Sequence, residues 1–155
     1  MSTTTLVHAD VVQLFYDKIS NDSVIKATAG LKVEKLVDRK ALASTSEPGN
    51  KRIILSKPRC GPFQWNCGGI AGQVAEYVKI ETVIKTVEGE ENAETVAKSL
   101  KSRMEAILFD AQFLGTGWLY HREVDDKFPS APMETRAYHI LVYEVWTSVG
   151  LKSQS

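Results

Sequence analysis

The sequence predicts an α+β fold: a mostly antiparallel sheet of about four strands, helices packed on one side of it, and an extended hairpin or long loop. Three observations lead to this prediction. Apolar residues spaced by three and four indicate amphipathic helices at 9–20 and 93–111. Residues 73–87 alternate between apolar and polar side chains, as in a strand with one wet face. Strands that follow one another, with helices beside them, favour an α+β sandwich.

The first half of the chain predicts one helix and one strand clearly. Asp10 is placed to cap the helix at 9–20. The apolar stripe of that helix comprises Val11, Leu14, Phe15 and Ile19. The stretch "NDSVIKATAG" that follows predicts a short helical turn or a loop. After partial alternation from Leu31 and a cluster of turn-forming residues, "KRIILSK" predicts a short strand that Pro58 stops.

The second half predicts a long strand, a long helix and two more strands. At about 3.3 Å per residue the strand at 73–87 would reach roughly 50 Å, so we expect part of it to project. Asn92 is placed to cap the helix at 93–111, and glutamates crowd its first turn. "WLYHREV" predicts a strand and "DDKFPSAPMET" a polar loop. "RAYHILVYEVWTSV" predicts a last strand, which is apolar on both faces and therefore lies inside the sheet.

Length and charge limit the class of protein. The 155 residues suffice for one domain with its own core, and we expect a single domain over 1–155 with flexible ends at 1–5 and 151–155. Nineteen basic residues balance nineteen acidic ones, so no overall positive field attracts nucleic acid. The chain lacks an apolar run of ~20 residues and the features of a signal peptide. This predicts a cytoplasmic protein whose two cysteines are most simply free thiols.

The stretch "PRCGPFQWNCGGIAG", residues 58–72, is the most unusual in the chain. Six residues separate Cys60 from Cys67, whereas structural zinc sites pair cysteines at closer spacing and need four ligands. The glycines lack the Lys-Ser/Thr ending of a phosphate loop, and they precede a strand rather than a helix. We therefore predict no metal and no cofactor here. A disulfide between the two cysteines stays open for an oxidising setting.

Phe63 and Trp65 stand apart from the other aromatic residues because they fall in this predicted loop. A large apolar side chain in a loop favours docking onto another protein surface. The aromatic residues of the predicted strands lie among aliphatic ones, so core packing explains them better than base stacking. These residues are Trp118, Tyr120, Tyr138, Tyr143 and Trp146.

The sequence contains no recognisable motif for a catalytic nucleophile, since no serine lies in a G-x-S-x-G pattern. His121 and His139 lie on strands that could pair, and with Glu123 or Glu144 they could form an acid–base cluster. Histidines that are simply partly exposed on a strand are the commoner case, and the acidic turn from Glu123 to Asp126 is most simply solvated surface. We therefore assign no catalytic residue. A small α+β enzyme using His121 and His139 stays open as an alternative of a different class.

The order of elements resembles that of phage tail-terminator and tail-completion proteins, the small ring-forming neck subunits of tailed bacteriophages. The resemblance rests on three stretches that together cover most of the chain: "DVVQLFYDKISNDSVIKATAG", "YVKIETVIKTVEGEENAETVAKSLKSRMEAIL" and "EVDDKFPSAPMETRAYHILVYEVWTS". It is a pattern of elements, and this family has no residue-level functional motif to carry over.

The resemblance implies a structural virion protein rather than an enzyme. Such a protein is a subunit of a hexameric ring that caps the completed tail tube, stops its growth and presents a surface to the head–tail connector. A sheet faces inward, helices lie outside, and DNA passes through the lumen without specific binding. The implied partners are copies of the chain, tube and sheath proteins, and connector proteins. The implied location is the tail neck of the virion, after assembly in the host cytoplasm. Another neck protein, such as a head-completion or connector subunit, stays open.

In rings of this kind a long loop or hairpin reaches the tube or a neighbouring subunit. We expect residues 58–72 to be the wide tip of such a hairpin, formed between the strands that flank them. The length and the cysteines of this stretch depart from the usual family pattern. The residues expected to contact the neighbour or the tube are Arg59, Phe63, Gln64, Trp65 and Asn66.

Overall fold

The helices and strands of the computed structural model follow the predicted order, with additional strands. The structure describes residues 3–7, 10–36, 51–57, 60–65, 71–87, 89–109 and 118–154. The helices in this part of the chain are α1 (Val11–Ser20), α2 (Ser23–Lys26) and α3 (Ala93–Leu108). The strands are β1 (Thr3–Val7), β2 (Leu31–Lys35), β3 (Lys51–Ser56), β4 (Cys60–Trp65), β5 (Ala71–Lys85), β6 (Trp118–Lys127) and β7 (Arg136–Gln154).

The strands form one sheet, whose order across the described residues is β1-β7-β5-β3-β2. Beside this path β4 pairs with β5, and β6 pairs with β7. The described pairs are antiparallel except for β2 with β3, which is parallel. β7 lies inside the sheet, as its apolar faces predict. The α+β class is therefore confirmed, although five strands rather than about four lie side by side in the part of the chain that the structure describes.

The two long helices begin where their capping residues predict. The Asp10 side chain accepts a hydrogen bond from the Gln13 backbone N–H at 3.1 Å. Asn92 accepts one from the Glu94 backbone N–H at 2.9 Å and another from that of Thr95 at 3.3 Å. The first N–H groups of a helix have no partner within the helix, so these side chains stabilise the start of α1 and of α3.

The main core lies between the helices and one face of the sheet. Side chains along a strand alternate between its two faces, and the even-numbered residues of β5 at 76–84 and the odd-numbered residues of β7 at 137–147 face this core. The helices therefore cover one side of the sheet, as predicted. Fully buried members of the core include Phe15, Ile19, Ile80, Ile84, Met104, Leu108 and Leu141.

The opposite face, which we call the helix-free face, is partly closed to solvent although none of the described helices packs on it. Ile54 is only 4% exposed there and Glu81 only 8%. The sequence predicted that this face of β5 is wet. The structure differs because the Tyr138 hydroxyl donates a hydrogen bond to Glu81 and Lys79 Nζ lies 3.3 Å from the same carboxylate. Neighbouring side chains thus shield part of this face from water.

The two ends of the described chain pair with each other. β1 is antiparallel to the last residues of β7, with Thr3 opposite Gln154 and Val7 opposite Gly150. These residues therefore lie in the sheet, where the sequence predicted flexible ends. Threonine and valine favour strands, but a strand at the edge of a sheet becomes ordered only when a partner strand is present. The partner comes from the far end of the chain, which local sequence patterns do not reveal.

Candidate functional site

An extended hairpin forms along one edge of β5. β7 pairs with the other edge of β5 throughout 71–85. On the hairpin side, β3 pairs antiparallel with residues 79–84 and β4 with residues 72–76. β3 and β4 therefore follow one another along the same edge. The strands that flank the unusual stretch do pair with each other, as the predicted hairpin requires.

The predicted interface residues fall in or beside β4. Phe63, Gln64 and Trp65 lie opposite Val74, Gln73 and Gly72 of β5. Arg59 and Asn66 lie outside the described residues, and so does Cys67, one of the two cysteines of the open disulfide. The sequence placed all of 58–72 in a wide loop tip. The structure corrects this, because the hairpin is already paired at Trp65 and the three described interface residues lie in a strand.

The physical reason for this correction is a local irregularity at the start of β4. Gly61 and Pro62 made the stretch look like a loop, because proline lacks the N–H that a strand ladder needs. The register of β4 against β5 shifts between Cys60 and Phe63, so the proline lies within the irregularity. A bulge of this kind tolerates proline and lets pairing resume after it.

The hairpin belongs to a part of the sheet that we call the distal sheet, formed by β1, β4 and residues 71–75 and 148–154. β5 does not project alone, because β7 accompanies it over its whole length. β1 contacts chiefly β7, and β4 contacts chiefly β5. On β5 and β7, the core residues that the structure describes lie at 78–84 and 137–145. Strand pairing joins the segments of the distal sheet to one another.

On the helix-free face, three side chains that can donate hydrogen bonds surround the carboxylate of Glu144. Its carboxylate accepts hydrogen bonds from Trp146 Nε1 at 2.8 Å and from the Tyr77 hydroxyl at 3.3 Å, and Arg122 Nη2 lies 3.4 Å away. The hydrogen bond from Trp146, together with the charge of Arg122, outweighs burial and holds the pKa of Glu144 below its ordinary value. Glu144 is therefore charged at neutral pH and engaged in contacts within the sheet.

The histidines of the predicted acid–base cluster lie on the helix side of the sheet, so Glu144 is separated from them. His139 has no exposed surface, and its Nε2 donates to Asp126 Oδ1 at 2.5 Å. His121 Nε2 donates to the backbone carbonyl of Leu108. The cluster of both histidines with Glu144 is therefore not formed. The burial of His139 also closes its ring to a substrate, which a general base must touch.

A different group of charged side chains meets between α3 and β6. We call it the acid cluster, and it consists of Lys101, Glu105, Glu123 and Asp126. Oxygens of its three carboxyl groups lie within 4.8 Å of one another. Lys101 Nζ lies 2.5 Å from Asp126 Oδ2 and 3.7 Å from Glu105 Oε1. One ammonium group thus lies beside three carboxyl groups, and its single positive charge cannot balance three negative ones.

Glu123 and Asp126 of the acid cluster have pKa values shifted in opposite directions. Partial burial, then hydrogen bonding to Glu105 and repulsion from it, raise the pKa of Glu123 to about 7. Burial also raises the pKa of Asp126, but hydrogen bonds from Lys101 and His139 outweigh it and leave that pKa below its ordinary value. At neutral pH, Asp126 is therefore charged while Glu123 is close to its titration midpoint.

A bulge in β6 brings the acids together. In a regular strand Glu123 and Asp126, three positions apart, would lie on opposite faces. The register against β7 shifts between Glu123 and Asp125, so that Glu123 lies opposite Tyr143 and Asp126 opposite Leu141. Both partners lie on the helix side of the sheet, and the two acids project from that same side, where they remain exposed. Sequence alternation alone gives no sign of this bulge.

A groove of about 710 Å³ opens between the three helices, and an ion pair lies on its wall. Arg103 donates to both carboxylate oxygens of Asp22, from Nε at 2.9 Å and from Nη2 at 2.5 Å. Asp22 also caps α2 by accepting from the Ile25 backbone N–H at 3.1 Å. The hydrogen bond from Arg103 holds the pKa of Asp22 below its ordinary value. The pair thus joins α2 to α3.

We expect Asp22→Ala to lower the free energy of unfolding more than Arg103→Ala does. The first change removes both the ion pair and a helix cap worth about 1 kcal/mol, whereas the second removes only the ion pair. The double variant should lose little more than Asp22→Ala alone, because the two residues share one contact. Chemical denaturation at neutral pH measures all three. Additive losses would show that the side chains do not interact.

Comparison with known proteins does not assign the chain to a family, so the function proposed below is argued from the geometry of the structure. No protein-family model matches the chain, and a search of the curated proteins finds no match. Among the described residues, no helix combines the length and the apolar character that crossing a membrane requires.

Proposed function

We propose that the chain is a tail-terminator subunit: it forms a ring at the head-proximal end of a phage tail, ends polymerisation of the tail tube and joins the tail to the head connector. The observation that carries this proposal is the distal sheet, in which strand pairing continues past the core residues that the structure describes. A ring subunit that contacts two neighbours and a tube at once needs a stiff element of this kind.

The length of the paired strands supports this role. β5 has 15 residues, each opposite a residue of β7. Two strands bound along that length form a stiffer extension than a loop, because each strand fixes the backbone of the other. β4 adds Phe63 and Trp65 to this extension. Aromatic residues are enriched among those that contribute most to protein interfaces, so the distal sheet is the surface we assign to contact with a neighbouring subunit or the tube.

The edges of the sheet also suit a ring. Subunits close into a ring when one surface of each binds a different surface of the next. Within the described residues the sheet ends at β2 on one side, whereas β6 and β1 flank β7 at the other. These edges differ in sequence and in direction of pairing, so head-to-tail contact between unlike surfaces is available to the chain.

Balanced charge suits a channel through which DNA slides. Each phosphate contact by an unpaired basic side chain adds salt-dependent affinity. Nineteen acidic residues balance nineteen basic ones over the chain. On the helix-free face, Glu81 lies 3.3 Å from Lys79, and Glu144 lies 3.4 Å from Arg122. We infer that the helix-free face lies toward the lumen and passes DNA without binding it specifically.

Light scattering of the purified chain during size-exclusion chromatography tests the ring. We expect a species with six times the subunit mass of 17.2 kDa, either alone or once tail tubes are added. Electron microscopy of the same fraction should show closed rings. A chain that stays monomeric at all concentrations and does not bind tubes would contradict the proposal.

A head-completion or connector subunit could also form a ring, so a second measurement separates these roles. Purified chain is mixed either with tail tubes or with head–tail connector complexes from the same phage, and bound chain is recovered by sedimentation. A terminator binds tube ends at a fixed number of copies per tube and stops their growth. Binding to the connector alone would assign the chain to the head side of the neck.

A further inference from the structure

We propose that Glu105 and Glu123 share one proton and that this proton fastens α3 to the edge strand β6. When the proton passes to solvent, both carboxylates are charged, and their repulsion from each other and from Asp126 loosens β6. This inference goes beyond the proposed function and does not depend on it, because it concerns the fold of one subunit.

The geometry of the acid cluster motivates the proposal. Three carboxyl groups whose oxygens lie within 4.8 Å of one another cannot all be charged beside a single ammonium without strong repulsion. Lys101 is closest to Asp126, at 2.5 Å, and that carboxylate also accepts from His139. Glu105 and Glu123 remain, and their combined negative charge falls if one of them is protonated. Retention of one proton by this pair is the simplest way to do so.

Other titratable groups surround the pair on three elements. Lys101 lies on α3, His121 and Asp126 lie on β6, and His139 and Tyr143 lie on β7. Burial, and then the nearby carboxylates, raise the pKa of the Tyr143 hydroxyl above its ordinary value, so it stays neutral throughout the relevant range. The experiment must therefore separate the proton of the pair from the effects of these neighbouring groups.

β6 is the element that should move when the proton leaves. α3 is anchored by Met104 and Leu108, which are fully buried in the core. β6 lies beside β7 as the outer strand of that pair, and the bulge at Glu123 interrupts their register. The acid cluster, where β6 contacts α3, lies at this interruption, so a change of charge there acts on the strand where its pairing with β7 is irregular.

The sign of the pH dependence follows from the pKa of Glu123, which folding raises from 4.5 to about 7. The folded state then binds the proton more tightly than the unfolded state. The contribution of Glu123 to stability is complete below the lower value and is lost as the pH rises through the higher one. Acids with lowered pKa values, such as Asp22 and Asp126, lose their contributions at more acidic pH, so the two effects occupy separate ranges.

Thermal unfolding and hydrogen exchange of the full chain between about pH 5 and about pH 8.5 test the proposal. In the wild type we expect the unfolding midpoint to fall, and exchange of the β6 amides to accelerate relative to β5, as the pH rises through about 7. Glu123→Gln keeps a neutral hydrogen-bonding group, so it should match the wild type at low pH and exceed its midpoint at high pH. Glu94→Gln is the matched control. It removes an exposed ion pair with Lys98 on α3 and should keep the wild-type dependence of the unfolding midpoint on pH.

Two results would overturn the proposal. Persistence of the wild-type pH profile in Glu123→Gln would show that the profile does not come from this pair. If that variant does not fold, carboxyl carbon NMR of the wild type decides: one of the two glutamates should titrate near pH 7, and titration of both near 4.5 would exclude a shared proton.

Discussion

Phe15→Ala should lower the free energy of unfolding by about 3–5 kcal/mol, the largest loss we expect from a single substitution. The Phe15 ring has no exposed surface. It packs edge-on against Tyr143 with centroids 5.6 Å apart and against His121 at 6.1 Å. These contacts join α1 to β6 and β7, so truncation leaves a cavity where three elements meet.

Chemical denaturation at neutral pH measures this loss. Val24→Ala is the matched control, because Val24 lies on the neighbouring helix with half of its surface exposed and should change stability little. Phe15→Leu should recover part of the loss by refilling the site. A loss of less than about 1 kcal/mol for Phe15→Ala would show that the core closes around the missing ring.

The double substitution Phe63→Thr and Trp65→Thr should abolish or strongly weaken assembly while leaving the unfolding midpoint close to that of the wild type. Threonine is chosen because both residues lie in β4, where a β-branched side chain retains strand preference. An aromatic interface residue typically contributes about 2 kcal/mol or more, so the concentration needed for assembly should rise roughly 30-fold or more.

Assembly is measured by light scattering over a concentration series, and folding is followed by thermal unfolding of the same samples. Val87→Thr is the matched control, since Val87 is 61% exposed just after Lys85, at the end of β5 opposite to the distal sheet. That variant should assemble like the wild type. A large fall in the unfolding midpoint of the double variant would assign Phe63 and Trp65 to packing within the subunit, and unchanged assembly would remove β4 from the interface.

Local patterns were enough to predict the helices and the long strands. The stripe through Phe15 and Ile19, and the caps at Asp10 and Asn92, depend only on residues within a few positions of one another. The apolar character of both faces of β7 likewise indicated an interior strand. Such features are encoded locally, so the α+β class followed from them.

Features that depend on distant partners were not predicted. β1 exists because the far end of the chain pairs with it, and β4 because the register shifts beside Pro62. The acid cluster needs both the bulge of β6 and the placement of α3 over it, and neither leaves a local pattern. The sequence does contain one indication that His139 and Glu144 are separated. His139 and Glu144 are five positions apart on one strand, an odd spacing that already puts them on opposite faces.

Labelling of intact phage tails tests whether the chain lies at the head-proximal end of the tail tube. Antibodies against the chain, raised on the purified protein and carried on gold particles, are located by electron microscopy on tails separated from heads. We expect a single label at the head-proximal end of each tube, and tubes of uncontrolled length when the gene is deleted. Label along the tube, at the distal tip or only on the head would contradict the assignment, as would tubes of normal length in the deletion.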